Sequence, residues 1–191
     1  MKNICFFCSS SSAIPKDFFE KAGEIANIFA KNGFNLVFGA GNFGLMGEVA
    51  KIFYKNNCSI IGIVPEKIYK KMPIFEKIEN LIITKNISER IDKMVEISDA
   101  FLILPGGFGT MQELINVITL KQLDYIDKPI AVYNYKDYYG NLLKQFDNMF
   151  KYNFCKGIYK DIYLFSDNIN EIYDYITNYR KINISEEKWF C

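Results

Sequence analysis

A chain of 191 residues, half of them apolar or aromatic and 24% charged, has the balance of one globular domain with a sizeable core, not of a disordered or membrane-spanning protein. Its formal net charge of +1 offers no basic field for nucleic acid, and no apolar run approaches the ~18 residues that a bilayer requires. The absence of histidine removes Ser-His and Cys-His nucleophiles and most transition-metal sites, so acid–base chemistry falls to carboxylates, Lys, Tyr or Cys.

In chain order, the first strand-like run is Ile4–Phe7, followed by Cys8 and the serines Ser9, Ser10, Ser11 and Ser12. With Lys2 in front it has the outline of a secretory leader, but the apolar part is shorter than the ~7 residues of an h-region, and the expectation is a cytoplasmic protein. Phe18, Ala22, Ile25 and Phe29 then repeat at helical spacing up to the stop signal Asn32-Gly33. Further strands are expected at Leu36–Phe38, Ile60–Val64, Leu81–Thr84, Ala100–Leu104, Ile130–Tyr133 and Ile162–Phe165. Between and after them run helical stripes through Met46, Val49, Ala50 and Phe53, through Ile91, Met94 and Val95, and through Met111, Leu114, Ile115 and Ile118. Later stripes take in Leu142, Leu143, Phe146 and Phe150, then Ile172, Ile176 and Tyr179. This alternation predicts an α/β protein, a Rossmann-like three-layer α/β/α sandwich with a mostly parallel, doubly wound sheet, as a single domain over 1–191. The unbroken apolar run Ala100–Leu104 suits a central strand covered on both faces. Cys5, Cys8, Cys58, Cys155 and Cys191 lack framework spacing, and no second pair completes a zinc site with Cys5-x-x-Cys8.

In such a sheet, ligands bind beyond the carboxyl ends of the strands, near the reversal of strand order, and three loops there are unusual. The serine loop is either a flexible linker or a row of hydroxyls and amides at the sheet edge. Gly39-Ala40-Gly41-Asn42-Phe43-Gly44-Leu45-Met46-Gly47 contains a G-x-G-x-x-G spacing, but after the second strand; tight packing explains it as well as a ligand does. Leu104-Pro105-Gly106-Gly107-Phe108-Gly109-Thr110-Met111-Gln112-Glu113 carries the strongest signal. Pro105 stops the strand, the glycines leave amides open to an anion, Thr110 is placed as helix cap, and Glu113 is expected in the first helical turn. No lysine follows in the Walker sense, which disfavours nucleoside triphosphate hydrolysis. Arg90, early in the helix before the buried strand, has Glu89 and Asp92 as candidate surface partners.

The serine loop, Gly41-x-x-Gly44-Leu45-Met46-Gly47, Arg90, Ser98-Asp99-Ala100-Phe101 and Pro105-Gly106-Gly107-x-Gly109-Thr110-x-x-Glu113 together resemble the Lonely Guy (LOG) family, cytokinin riboside 5′-monophosphate phosphoribohydrolases long mislabelled as lysine decarboxylases. With Asp127-Lys128-Pro129 and Tyr138-Tyr139 the resemblance covers roughly residues 3 to 178. It implies hydrolysis of the N-glycosidic bond of a nucleoside 5′-monophosphate, AMP or an N6-modified AMP, by a homodimer; no cofactor or metal is expected, and the charge and the short apolar runs leave neither nucleic acid nor membrane as an expected partner. By motif position it implies Arg90 and Glu113 as the catalytic pair. It also implies Gly106, Gly107, Phe108, Gly109, Thr110, Ser10, Ser11, Gly41, Gly44, Met94 and Thr119 as the binding residues. The departures are Ser9 and Ala40 where the family has glycine, Ile91 for a lysine, Gln112 for a glutamate, and a replaced glutamate after the third strand, near Met72. A decarboxylase would need a lysine for a Schiff base, and Lys93 and Lys121 have the spacing of surface residues. A non-catalytic nucleotide carrier is the alternative. The apolar face of the helix after Glu113, Ile115, Val117, Ile118 and Leu123, is the expected dimer contact.

Overall fold

The computed structural model describes residues 2–181; Cys191 lies outside them. The elements in order are β1 (Asn3–Phe7), α1 (Lys16–Lys31), β2 (Asn35–Phe38), α2 (Gly44–Lys55), β3 (Ile60–Pro65), the short α3 (Glu66–Tyr69), β4 (Asn80–Thr84), α4 (Ile87–Ile97), β5 (Ala100–Ile103), α5 (Phe108–Gln122), β6 (Ile130–Tyr133), α6 (Gly140–Lys151), β7 (Leu164–Ser166) and α7 (Ile169–Thr177). The strands form one seven-stranded sheet in the order β4-β3-β2-β1-β5-β6-β7. Every pairing is parallel, so the expected mostly parallel sheet is parallel throughout. Chain order reverses between β1 and β5, and the loops after these two strands therefore open side by side.

Both faces of the central strands are covered, whereas the edge strand β4 leaves Leu81 and Ile83 exposed, and the two-residue period of β1 shows how the core divides. Ile4 and Phe6 pack with Ile25 and Phe29 of α1, Val49 and Phe53 of α2 and Ile172 of α7. Cys5 and Phe7 pack on the other face with Ile91 and Met94 of α4, Leu114 and Val117 of α5 and Tyr139. Cys5 and Cys8 fall in opposite clusters, and both are free thiols. β5 is fully buried, as the apolar run Ala100–Leu104 predicts.

Two boundaries move by more than one residue. The seventh strand lies at Leu164–Ser166 instead of Ile162–Phe165, because Gly157–Ile162 winds into a 3-10 helix and buries Tyr159 and Ile162 from there. The last stripe was expected to include Tyr179, but α7 ends at Thr177. No helix of the described residues is long and apolar enough to cross a membrane.

Candidate active site

The serine loop is a fastener rather than a linker. The Ser9 amide donates to the Pro105 carbonyl at 3.2 Å, tying the loop after β1 to the loop after β5. The Met46 amide donates to the Ser9 carbonyl at 3.3 Å, and the Gly44 amide to Ser12 Oγ at 3.2 Å, tying it to the N-terminus of α2. The hydroxyls of Ser9 and Ser11 accept from the amides of Ser11 and Ala13, so the serines turn the chain upon itself. Gly44 explains its own identity: at φ +61°, a Cβ would stand 2.5 Å from the Ser10 carbonyl carbon and 2.6 Å from the Ser9 oxygen.

The loop after β5 is held from below. Tyr139 donates its hydroxyl to the Leu104 carbonyl and Tyr138 to the Gly106 carbonyl, each at 2.8 Å. α5 then begins at Phe108 with Gly107 at its cap, and its backbone ladder starts with the Met111 amide on the Gly107 carbonyl at 3.0 Å. Thr110 is therefore inside the first turn and does not cap the helix; its buried side chain fills the space a Gly106 side chain would need. Glu113 likewise belongs to the second turn of α5 and points inward, not to the first turn. A glutamate there gains little from the helix dipole, which acts within the end turn.

Arg90 does not pair with Glu89 or Asp92. Asn86 caps α4 by accepting from the Glu89 amide at 2.9 Å, while the Glu89 carboxylate accepts from the Lys85 amide. Arg90, one turn into that helix, sends Nε to the Ile63 carbonyl at 3.2 Å and Nη2 to Glu113 Oε1 at 2.8 Å. The pair is nearly sealed, with side chains 15% and 7% exposed. Burial pushes the Glu113 carboxyl above the usual glutamate range, and the Arg90 charge opposes that shift. Cys8 lies beside it as a neutral thiol, pushed far up by its own burial and by the charge of Glu113.

These groups line a cleft of about 370 Å³, large enough for a nucleotide-sized ligand. Of the residues expected from the sequence, Arg90, Glu113, Ser10, Ser11, Gly107, Phe108, Gly109 and Thr110 line it. Gly106, Gly41 and Gly44 do not; Gly41 is covered by the ends of Met46 and Met72. Met94 is core with no exposure, because a long apolar side chain on the inner face of α4 is worth more buried. Thr119 lies on the outer face of α5, with its hydroxyl on the Ile115 carbonyl. The wall formed by Val64, Pro65 and Ile68 was missed; its only trace in the sequence is the Ile68–Met72 spacing after β3. No lysine lines the cleft among the described residues. Lys93 pairs with Glu96, and Lys121, expected at the surface, is buried with Nζ 4.4 Å over the Tyr179 ring, which lowers its ammonium to about 8 by desolvation.

Residues 46–176 match the profile of a family described as "possible lysine decarboxylase". A cytokinin riboside 5′-monophosphate phosphoribohydrolase of Arabidopsis thaliana is 32% identical over 191 residues, covering 98% of this chain and 84% of that protein. A second one from the same plant is 30% identical, covering 98% and 90%, and a probable one from Oryza sativa subsp. japonica is 32% identical, covering 88% and 76%. Among solved structures, the molybdenum cofactor carrier protein of Chlamydomonas reinhardtii superimposes with a TM-score of 0.67 at 17% identity, covering 90% and 94% of the two chains. A molybdenum cofactor binding protein from Rippkaea orientalis gives 0.64 at 18%, covering 93% and 97%. At such identity the likeness is one of fold.

Proposed function

The chain belongs to the family of the LOG phosphoribohydrolases, whose profile carries the description "possible lysine decarboxylase", and from that premise we propose that it hydrolyses the N-glycosidic bond of a nucleoside 5′-monophosphate to free base and ribose 5-phosphate. The observation that carries this reading is the buried Arg90–Glu113 pair beside the N-terminus of α5. The amides of Phe108, Gly109 and Thr110, ahead of the first ladder bond of α5, offer the 5′-phosphate donors and the positive end of the dipole. A Cβ at Gly107 or Gly109 meets no protein atom within 4 Å, so an anion can approach the backbone there. As the C1′–N bond breaks, positive charge grows on the ribose, and the Glu113 carboxylate stabilises it while orienting the water whose oxygen adds to C1′. The bond's electron pair leaves with the base, which takes up a proton. Arg90 keeps Glu113 ionised in a desolvated cleft and presents its remaining donors to ribose or phosphate oxygens. The base lies along Met46, Ile68 and Met72.

Incubation of the purified protein with a panel of nucleoside 5′-monophosphates, including AMP and N6-substituted AMP, tests this: free base and ribose 5-phosphate are expected, with the corresponding nucleosides left uncleaved. Equal rates on adenosine and AMP would remove the phosphate role of residues 106–110. Tight AMP binding without release of base would hand the site to the carrier reading, for which the molybdenum cofactor proteins offer only a shared fold. That no lysine lines the cleft among the described residues speaks against Schiff-base decarboxylation. The free thiols suit a reducing, cytoplasmic setting.

A homodimer belongs to the same reading. Val117 is intramolecular core and Ile118 and Leu123 are half-covered, but Phe108, 97% exposed, joins Met111 and Ile115 around a shallow apolar depression on α5. A second copy of the same face is the occupant we assign to it. A solution mass of one chain at micromolar concentration would refute the pairing.

A further inference from the structure

Gly39, the residue after β2, is nowhere near the left-handed region that would demand glycine for conformational reasons. Contact demands it instead. The Arg90 side chain runs past the carboxyl ends of β2 and β3 on its way to Glu113, and the surface it crosses at β2 is the bare backbone of Gly39. A Cβ built there falls 2.5 Å from Arg90 Nη2 and 3.5 Å from Cζ, with Met46 Sδ 3.2 Å away. Nη2 is the atom that donates to Glu113 Oε1.

We propose that Gly39 is a positioning residue whose missing side chain leaves the slot for the Arg90 guanidinium and thereby sets its contact with Glu113. The inference rests on the reading of that pair as the reacting groups. Substitution separates site from scaffold, because the colliding atom is the end of a flexible side chain and can move at little cost to the backbone, whereas the ion pair cannot survive its movement. The Ile63 carbonyl still holds Nε, so the guanidinium is turned rather than released.

The groups facing Glu113 are Arg90 from α4, Cys5 and Cys8 from β1 and the loop that follows it, and Tyr139 at the start of α6. Burial holds both thiols and the phenol above their ordinary values and so neutral, which leaves Arg90 as the opposing charge. A displaced guanidinium therefore lets Glu113 keep its proton to higher pH.

Gly39→Ala, Arg90→Ala and the double variant, compared with the unmodified chain, provide the test. In Gly39→Ala, kcat/KM on the best nucleotide is expected to fall by ~10–100-fold, as for a reacting group misplaced by about 1 Å. Both the acid limb of the pH–rate profile and the carbon-13 titration of the Glu113 carboxyl should move to higher pH. In the Arg90→Ala background the same substitution should change kcat/KM by less than about twofold, because it acts through the side chain already removed. An unchanged titration and rate in Gly39→Ala, or an equal loss in both backgrounds, overturns the proposal. Should Gly39→Ala fail to fold, recovery of folding in the double variant supports the clash with Arg90, and its failure there overturns it. If the unmodified chain releases no base from any nucleotide, the hydrolase reading falls while the carboxyl titration still decides Gly39 by itself.

Discussion

The two glycine-rich loops at the carboxyl edge of the sheet differ in what their glycines face. After β2, Gly44 meets the backbone of the serine loop, Gly47 meets the backbone of Asn42, Gly41 meets two methionines and Gly39 meets Arg90. After β5, Gly106 meets the side chain of Thr110, but Gly107 and Gly109 meet no protein atom within 4 Å. The first loop uses all its glycines to bring parts of the protein together; the second packs one of them and leaves two open to the cleft. The motif spelling alone gives no hint of this, since the first loop is the one that carries G-x-G-x-x-G.

If the second loop and its helix carry the chemistry, the largest effect comes from Glu113→Gln. This change keeps the shape and an acceptor for Arg90 but removes the negative charge, so kcat should fall by ~10²–10³ while nucleotide affinity stays within a few-fold. Near-normal turnover would reduce Glu113 to a structural partner of Arg90. The pH dependence has a defined sign: burial raises the Glu113 carboxyl, so activity should be lost as pH falls through a value above the ordinary glutamate range. An acid limb at or below that range would contradict the desolvated site.

Next comes the scaffold loop itself. Gly44→Ala forces a methyl into the backbone of residues 9–11 at positive φ, and a loss of ~3 kcal/mol or more in a chemical-denaturation measurement is expected. Gly109→Ala should do the reverse. In the first turn of α5 alanine is the better helix former, so the thermal midpoint holds or rises. Nucleotide affinity should drop about tenfold, since one methyl crowding the phosphate costs ~1–2 kcal/mol. Equal destabilisation by both substitutions would erase the distinction between the loops.

The smallest effect is expected at Ala40, a fully buried residue held at φ +64°. Ala40→Gly relieves ~1–2 kcal/mol of left-handed strain but gives up a buried methyl and chain stiffness of similar size, so the net change in stability should stay within about 1 kcal/mol. A larger gain would mean that the strain dominates.

Much of this was legible before any coordinates. The strand-like runs before 150 all became strands of the sheet, because apolar periodicity is written locally; the central ones, buried on both faces, have no polar option, while β4 became an exposed edge. The seventh was displaced because Ile162 could bury equally well from a 3-10 turn, and local pattern does not choose between them. Thr110 has the chemistry of a cap and sits at a plausible spot, but the cap is Gly107, three residues earlier, which leaves the Thr110 hydroxyl for packing. Lys121 has ordinary surface spacing on a helix, yet it is buried with its ammonium over the Tyr179 ring, and Met94, expected in the site, is core.

The sequence by itself determined the alternation of strand and helix, the loops where chemistry could sit, and the residue types available once histidine was excluded. Its motifs also named Arg90 and Glu113 through a resemblance. Only the tertiary structure decided that these two meet. They lie on different helices, and their contact depends on the order of strands between them, on the register of β3 against β2, and on a bare backbone at Gly39. Local propensity acts over a few residues along the chain; the distance between side chains from separate helices is set by packing across the sheet, which no local pattern encodes.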